Sequence, residues 1–322
     1  MPQTSTTLDL NPATTLSLPA PAKLNLLLHI TGRMDNGYHR LQTLFQLLDF
    51  GDRITLSRNN EGIVRLLNPL DGVTIEENLV YRAAQALLAL SDGRWGVDIH
   101  LEKNLPLGSG LGGGSSDAAS TLLGLNRLWQ LGLSLDQLAD LGLSLGADVP
   151  VFVQGRSGFA EGVGEQLRPI QLPQYWFLVV KPAVSISTAT IFSHPQLTRD
   201  TRPIRIAAFF DAGQPAADAD ADADPRGEQQ NEQLDYRRQS DWKNDCEAVV
   251  RANYAAVDQA LEWLDQHGFA RLTGTGSCIF AANDSAREAE AVRQQLPATL
   301  SGFVARGDNL SSARRALEIG ST

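Results

Sequence analysis

Cysteine is scarce in this chain. Cys246 and Cys278 are the only two in 322 residues, with neither zinc spacing nor a Cys-x-x-Cys partner. That excludes a disulfide framework and a cysteine-built metal site. Two thiols set among apolar neighbours fit burial in a reducing compartment, so a cytoplasmic location is expected. Basic charge is in deficit as well: Lys and Arg total 27 against 37 Asp and Glu, a net charge of −10 with a pI near 5.0. Such a balance disfavours non-specific binding to nucleic acid or to an anionic membrane, while leaving room for a local basic pocket that takes an anionic ligand. No apolar run approaches the ~20 residues needed to cross a bilayer. Residues 1–17 are Thr-rich and lack a basic start, an apolar core or an arginine, so they read as a frayed tail and not as a leader. Also missing are a Gly-Lys-Ser/Thr Walker ending, a His-Arg-Asp catalytic loop and a regular βαβ alternation.

What the chain does have is concentrated glycine. Residues 105–120 read Leu-Pro-Leu-Gly-Ser-Gly-Leu-Gly-Gly-Gly-Ser-Ser-Asp-Ala-Ala-Ser. Backbone without Cβ turns sharply and can aim consecutive N–H groups into one concavity. A helix beginning at Ser115 or Ser116 adds unpaired N–H groups and the positive end of its dipole, a combination suited to a phosphate chain. Gly108, Gly110 and Gly113 formally match dinucleotide spacing. That reading needs a second parallel strand ending in an acid, whereas residues 118–129 and 135–145 both read as helix. A flexible linker would not be framed by a strand pattern (Val97, Ile99, Leu101) and an apolar helix (Leu122, Leu123, Leu125, Leu128).

Along the rest of the chain, alternation marks residues 18–30 as a strand. Ala22, Leu24, Leu26, Leu28 and Ile30 share one face; Lys23, Asn25, Leu27 and His29 share the other. Residues 31–40 read as a loop, 41–48 and 54–56 as strands, 78–90 as a helix. Gly146-Ala147-Asp148-Val149-Pro150-Val151-Phe152-Val153 leaves a helix and enters a buried strand. A strand over 175–181, one long helix over 244–267, a strand over 279–282, a helix over 286–295 and a strand over 302–306 complete the pattern. Residues 214–239 alternate Ala with Asp and then mix Gln with Glu, so they read as a disordered surface insertion. Length and element order predict two α+β domains with a boundary near residues 164–173.

Pro106 and the run Gly110-Leu111-Gly112-Gly113-Gly114-Ser115-Ser116-Asp117-Ala118-Ala119 resemble the phosphate loop of the GHMP kinases, which phosphorylate small-molecule alcohols. The tripled glycine before Ser-Ser-Asp-Ala-Ala is similar to one branch of that family. Its alcohol is a methylerythritol linked to cytidine diphosphate, on the non-mevalonate route to isoprenoids. The resemblance runs through residues 18–192 and resumes at 244. It implies an α+β fold of two domains: residues 18–165 similar to ribosomal protein S5 domain 2 and residues 166–322 ferredoxin-like, with the active site between them. It also implies ATP with Mg²⁺. The nucleotide would lie on Pro106, Leu107, Gly108, Ser109, Gly110, Leu111, Gly112, Gly113, Gly114, Ser115 and Ser116, with Asn78 and Lys103 contacting adenine or phosphates. Ser116 is a possible Mg²⁺ ligand, and no protein carboxylate is assigned to the metal.

The same resemblance gives the chemistry its residues. Read alone, Asp148 fits a turn Asp bonding local N–H groups; the resemblance reverses that reading, because Gly-Ala-Asp-Val-Pro-Val-Phe matches the segment carrying the catalytic aspartate. Pro21-Ala22-Lys23-Leu24-Asn25-Leu26 matches the motif whose lysine pairs with that aspartate, although a strand lysine is often edge decoration. An ammonium there stabilises a developing alkoxide, and Asn25 on the same face can bond the substrate polyol. Asp35-Asn36-Gly37-Tyr38-His39 matches a loop that grips cytosine, Tyr38 stacking and His39 bonding the base edge; Phe192 matches a second stacking aromatic. The family usually carries a proline near Thr188, which this chain lacks. Thr273-Gly274-Thr275-Gly276-Ser277-Cys278-Ile279-Phe280 resembles a glycine loop that seats the phosphates, and Asn244-Asp245-Cys246-Glu247 a helix start that usually has leucine where Cys246 stands. The expected partner is the small-molecule substrate alone, without nucleic acid or membrane, and the chain is expected as a monomer or homodimer. Rival readings are a kinase for homoserine or mevalonate and a non-catalytic nucleotide sensor.

Overall fold

Two long strands form the spine of the computed structural model, which describes residues 14–35, 37–91, 95–204 and 242–319. β1 (Thr15–Arg33) and β2 (His39–Asn59) pair as one antiparallel hairpin, from Thr15 opposite Ser57 to Arg33 opposite His39. The tail expected over residues 1–17 therefore ends before Thr15, and residues 1–13 lie outside the described residues. The expected loop over 31–40 shrinks to the few residues around Gly37, and the two expected strands merge into β2. Register shifts at Pro21/Lys23, Asn25/Leu27 and Ile30/Gly32 break the alternation of β1. Bulges of this kind bend a strand and re-aim its side chains.

The free edge of β2 is shared among three strands. β5 (Gly158–Glu161) takes residues 43–45, β10 (Leu300–Asp308) takes Leu47 and Leu48, and β4 (Gly96–Glu102) takes residues 53–59. β3 (Val64–Leu66) runs parallel to β4, and β6 (Gln166–Pro169) closes a hairpin on β5. Helices α1 (Leu79–Leu88), α2 (Gly113–Leu128), α3 (Leu135–Leu145) and α4 (Val149–Gln154) complete this half, with Leu87, Leu122, Leu125 and Leu138 packed over Leu56, Ile99 and Leu101. The buried strand expected after Asp148 is α4: Pro150 sits in its first turn, where a missing N–H costs nothing.

The second half holds β7 (Trp176–Pro182), α5 (Thr188–Ser193), α6 (Glu247–Asn253), α7 (Ala255–Asp265), β8 (Ala270–Leu272), β9 (Ile279–Asn283), α8 (Ala286–Arg293) and β10. Its sheet runs β10-β7-β9-β8. In chain order that is fourth, first, third, second, the ferredoxin-like arrangement. Period two decides what each face buries. Leu178 and Val180 face Val257, Leu261 and Leu264 of α7, while Phe177 and Val179 face Phe280 and the β1 residues Leu24 and Leu26. Full burial of a side chain such as Phe177 contributes about 1.5–3 kcal/mol, and this layer joins the halves.

The changeover follows β6, which still belongs to the first sheet. The last helix, α9 (Ser312–Ile319), returns to pack on β1. The single helix expected over 244–267 splits at Tyr254 (φ −132°, ψ 84°). Its N–H still bonds Val250, and its carbonyl accepts from Val257 and Asp258 to start α7. Apolar spacing persists across that break, so periodicity does not reveal it. The insertion expected over 214–239 lies outside the described residues.

Candidate active site

A cleft of about 410 Å³ opens where the halves meet. β1 contributes Lys23 and Asn25, β2 contributes Thr43 and Phe45, the glycine loop contributes residues 106–110 and 112–115, and the segment before α4 contributes Asp148. From the second half come Thr188 and Phe192 of α5, with Gly274 and Thr275 of the β8–β9 loop. Among the described residues lining it, Asp148 is the one carboxylate, against two lysines, Lys23 and Lys103.

The glycine loop owes its shape to left-handed backbone. Gly112 (φ +73°) is the N-cap of α2 and offers no side-chain bond, so the helix starts at Gly113, earlier than the Ser115 or Ser116 expected. First-turn amides have no acceptor within their own helix, and Gly113, Gly114 and Ser115 line the cleft. A Cβ at Gly112 would stand 2.8 Å from the Phe152 ring; one at Gly110 (φ +77°) would stand 2.3 Å from the Thr273 carbonyl oxygen. That oxygen belongs to the second glycine-rich loop, which lies directly against the first. Cys278 N–H bonds Ser109 O at 3.1 Å, and Thr273 Oγ1 accepts from Asn25 N–H at 3.0 Å. Asn244 holds the second loop in place through Leu272 O (2.9 Å) and Gly274 O (2.8 Å). Burial pushes the thiols of Cys246 and Cys278 up to about 12, so neither is a nucleophile.

Lys23 and Asp148 meet at this loop. Their Nζ and Oδ2 lie 3.4 Å apart, the lysine side chain 4% exposed and the carboxylate 34%. Asp148 precedes α4 but makes no capping bond, so its oxygens are not committed to the turn. Lys23 is held from three sides: its N–H bonds Leu111 O, its ammonium bonds Asn25 Oδ1, and the Phe45 ring lies 5.4 Å from it. Asn25 Nδ2 in turn donates to Thr43 Oγ1 at 2.8 Å. Both ends of the Asn25 amide thus have protein partners, an arrangement that orients Lys23 more directly than it frees Asn25 for a polyol.

Lys103, expected from the sequence, lines the cleft at the centre of a charge cluster whose two carboxylates sequence reasoning missed. Lys103 Nζ bonds Asp52 and, at 2.8 Å, Asp117. Asp52 also accepts from the backbone N–H groups of Asn104 (2.6 Å) and Leu105 (2.7 Å). Burial works against the Lys103 charge, but Asp117 and Asp52 outweigh it and hold its pKa above the ordinary value. Burial also pushes the Asp117 carboxyl up to about 7, against the pull of Lys103. Asp117 is the only charged residue between Lys103 and Arg127, and that isolation was the available signal. Lys103→Met is expected to cost about 3–5 kcal/mol, because it strands two buried carboxylates. Urea denaturation checks this; a change below about 1 kcal/mol would contradict it.

Other expected residues lie off the cleft. Asn78 is buried, and its Oδ1 caps α1 by accepting from Val80 N–H at 2.9 Å. The Leu111 side chain is fully buried, and its carbonyl is taken by Lys23. Ser116 is fully buried with no partner for its Oγ, whereas Ser115 faces the cleft. Tyr38 is 62% exposed on its loop, outside the cleft. His39 stacks on Phe192 at 5.1 Å with the rings inclined 28°, beside Arg199, another residue missed.

Residues 78–156 match the family described as the GHMP kinases N terminal domain, and residues 229–302 match GHMP kinases C terminal. A protein of Pseudomonas syringae pv. tomato named 4-diphosphocytidyl-2-C-methyl-D-erythritol kinase is 50% identical over 304 residues, spanning 94% of this chain and 98% of that protein. One of the same name from Vibrio cholerae is 49% identical over 299 residues, 93% of each chain. Among solved structures, a 4-(cytidine 5'-diphospho)-2C-methyl-D-erythritol kinase aligns with a TM-score of 0.71 at 31% identity, covering 91% of this chain and 99% of that one. The Methanococcus jannaschii mevalonate kinase shares the fold at a TM-score of 0.59 and 17% identity, covering 94% and 100%.

Proposed function

This chain belongs to the GHMP kinases, and from that premise we propose that it transfers the γ-phosphoryl group of ATP to the 2-hydroxyl of 4-diphosphocytidyl-2-C-methyl-D-erythritol, giving the 2-phosphate and ADP. It is a small-molecule kinase whose reaction serves non-mevalonate isoprenoid synthesis. The observation that carries the chemistry is the Lys23–Asp148 pair, 3.4 Å apart on the rim of an amide-lined cradle.

Phosphoryl transfer asks the protein chiefly for positioning and for charge stabilisation. In this reading Asp148 orients the 2-hydroxyl and takes its proton. The hydroxyl oxygen bonds to the γ-phosphorus as the bond to the bridging oxygen breaks, and ADP leaves. Lys23 offsets the negative charge that grows on the attacking oxygen. The first-turn amides of α2, with Lys103 behind them, hold the phosphate chain.

Mg²⁺ would supply charge neutralisation across the phosphates. The donor set suits that ion in its usual kinase mode, held mainly by phosphates and water. Among the described residues there is no cluster of three His, Cys, Asp or Glu. Ser115, not the sealed Ser116, is the hydroxyl available to it.

The cytidine end falls to Phe192 and the loop carrying Tyr38 and His39. Base–aromatic stacking is worth about 1–3 kcal/mol per base. Phe192→Ala is therefore expected to raise KM for the cytidine-linked alcohol roughly 10- to 100-fold, with kcat and KM for ATP within about threefold. CDP should compete with the alcohol and not with ATP. A KM within twofold of the unsubstituted protein would count against the stacking role and favour a homoserine or mevalonate kinase. ATP turnover separates both from a nucleotide sensor. No helix among the described residues is long and apolar enough to cross a membrane; we place the enzyme in the cytoplasm, as a monomer or homodimer.

A further inference from the structure

Asn25 lies between the Lys23 ammonium and a buried hydroxyl on the neighbouring strand. That hydroxyl belongs to Thr43, which sits in β2 opposite Leu28, beside the register shift between Asn25 and Leu27. Thr43 Oγ1 accepts from Asn25 Nδ2 at 2.8 Å and donates its own proton to Leu27 O at 2.7 Å. At the other end of the amide, Asn25 Oδ1 accepts from Lys23 Nζ, and Lys23 Nζ lies 3.4 Å from Asp148 Oδ2. One run of contacts thus leads from the β1 backbone to the carboxylate.

The run has a single direction, set by which groups can donate. An ammonium has donors only, so the amide atom that meets it must be the oxygen. The nitrogen then faces Thr43, whose hydroxyl must accept there and send its own proton elsewhere. Leu27 O receives it. Turning the amide over breaks the run at both ends. An amide N–H group would face the ammonium, which cannot accept. Thr43 could donate to Oδ1 only by leaving Leu27 O without a partner. All of these side chains are buried, where an unmatched polar group is costly. The β-branch of Thr43 restricts its rotamers, so the hydroxyl is held in place before any ligand arrives.

We infer that Thr43 is a positioning residue for phosphoryl transfer: by accepting from the Asn25 amide it fixes which end of that amide meets Lys23, and so aims the ammonium at Asp148 and the reacting oxygen. The inference rests on reading Lys23 and Asp148 as the pair that acts on the alcohol. Because Thr43 acts through Asn25, its loss falls on kcat. Thr43 also lines the cleft, so direct contact with the alcohol is the rival role, and that role would fall on KM.

The test measures steady-state kinetics on the cytidine-linked alcohol and ATP, together with melting temperatures. Thr43→Val keeps the shape and removes the hydroxyl. It should lower kcat roughly 10- to 100-fold, with KM for ATP and for the alcohol each within about threefold. Thr43→Ser returns the hydroxyl and should bring kcat to within about fivefold of the unsubstituted enzyme. Asn25→Ala removes the amide through which Thr43 acts, so adding Thr43→Val to it should lower kcat by less than about twofold more. A Thr43 that only supports the fold would lower the melting temperature and leave the kcat of the folded enzyme within about threefold. That result overturns the inference. So does a raised KM for the alcohol with kcat unchanged, or a loss in the double variant equal to the product of the single losses. Should Thr43→Val fail to fold, Thr43→Ala takes its place in each comparison, and a loss of about tenfold or more in Thr43→Ser overturns the inference by itself. An unsubstituted enzyme that leaves the cytidine-linked alcohol unphosphorylated sinks the functional reading, a result distinct from an unchanged kcat in Thr43→Val.

Discussion

Asp148→Asn is expected to lower kcat by about 10²–10⁴ while leaving KM for ATP within a few-fold. Asparagine keeps the shape and the position before α4 but loses both the charge and the capacity to take a proton. The effect should fall on kcat because Asp148, beside Lys23, is the carboxylate in the cleft that would take the hydroxyl proton, while the glycine backbone that would hold the nucleotide is unchanged. Lys23→Met should act in the same direction, since it removes the cation 3.4 Å from the carboxylate. The double variant should be little worse than either single one, because groups that act as a unit lose their function together. Steady-state assays at saturating ATP decide. A kcat within tenfold for Asp148→Asn, or strict additivity in the double variant, would remove the pair from the chemistry.

Gly110→Ala should damage both stability and nucleotide binding. The φ of +77° at this position costs an L-residue about 1–2 kcal/mol. The new methyl would also stand 2.3 Å from the Thr273 carbonyl oxygen, a backbone atom that cannot swing aside. Overpacking of that kind adds about 1–3 kcal/mol. Together these predict a melting temperature lower by on the order of 3–7 °C. The affinity for ATP should fall as well, because the strain is relieved by parting the two glycine loops. Gly32→Ala is the control. A Cβ there meets nothing within 4 Å and the backbone is not left-handed, so stability should stay within about 1 kcal/mol. Equal behaviour of the two variants would mean that contact between the loops does not shape the cradle.

Strands and helices with one clean period were legible in the sequence. β1 declared itself by alternation, and α3 ends where its apolar spacing ends. Elements whose limits depend on single backbone angles were not. The left-handed turn at Gly112 moves the start of α2, and the break at Tyr254 splits a helix whose apolar pattern runs on unbroken. At the site, Lys23 and Asp148 were legible through their motifs, and the fold brings them together. Asp52 was not, because Gly51-Asp52-Arg53 looks like a turn between strands and is in fact the middle of β2. Arg199 lies in an irregular segment where no periodicity marks a direction, and its partner His39 is far away in sequence.

Product analysis is the direct test of phosphoryl transfer to the 2-hydroxyl. Carbon 2 bears the methyl group and no hydrogen, so a phosphate placed there shows no three-bond proton coupling through that carbon. With 4-diphosphocytidyl-2-C-methyl-D-erythritol and ATP, phosphorus-31 NMR should show one new phosphomonoester without that coupling, appearing in step with ADP. A proton-coupled phosphomonoester, ADP release with no phosphate on the polyol, or phosphorylation of homoserine or mevalonate in its place would contradict the assignment.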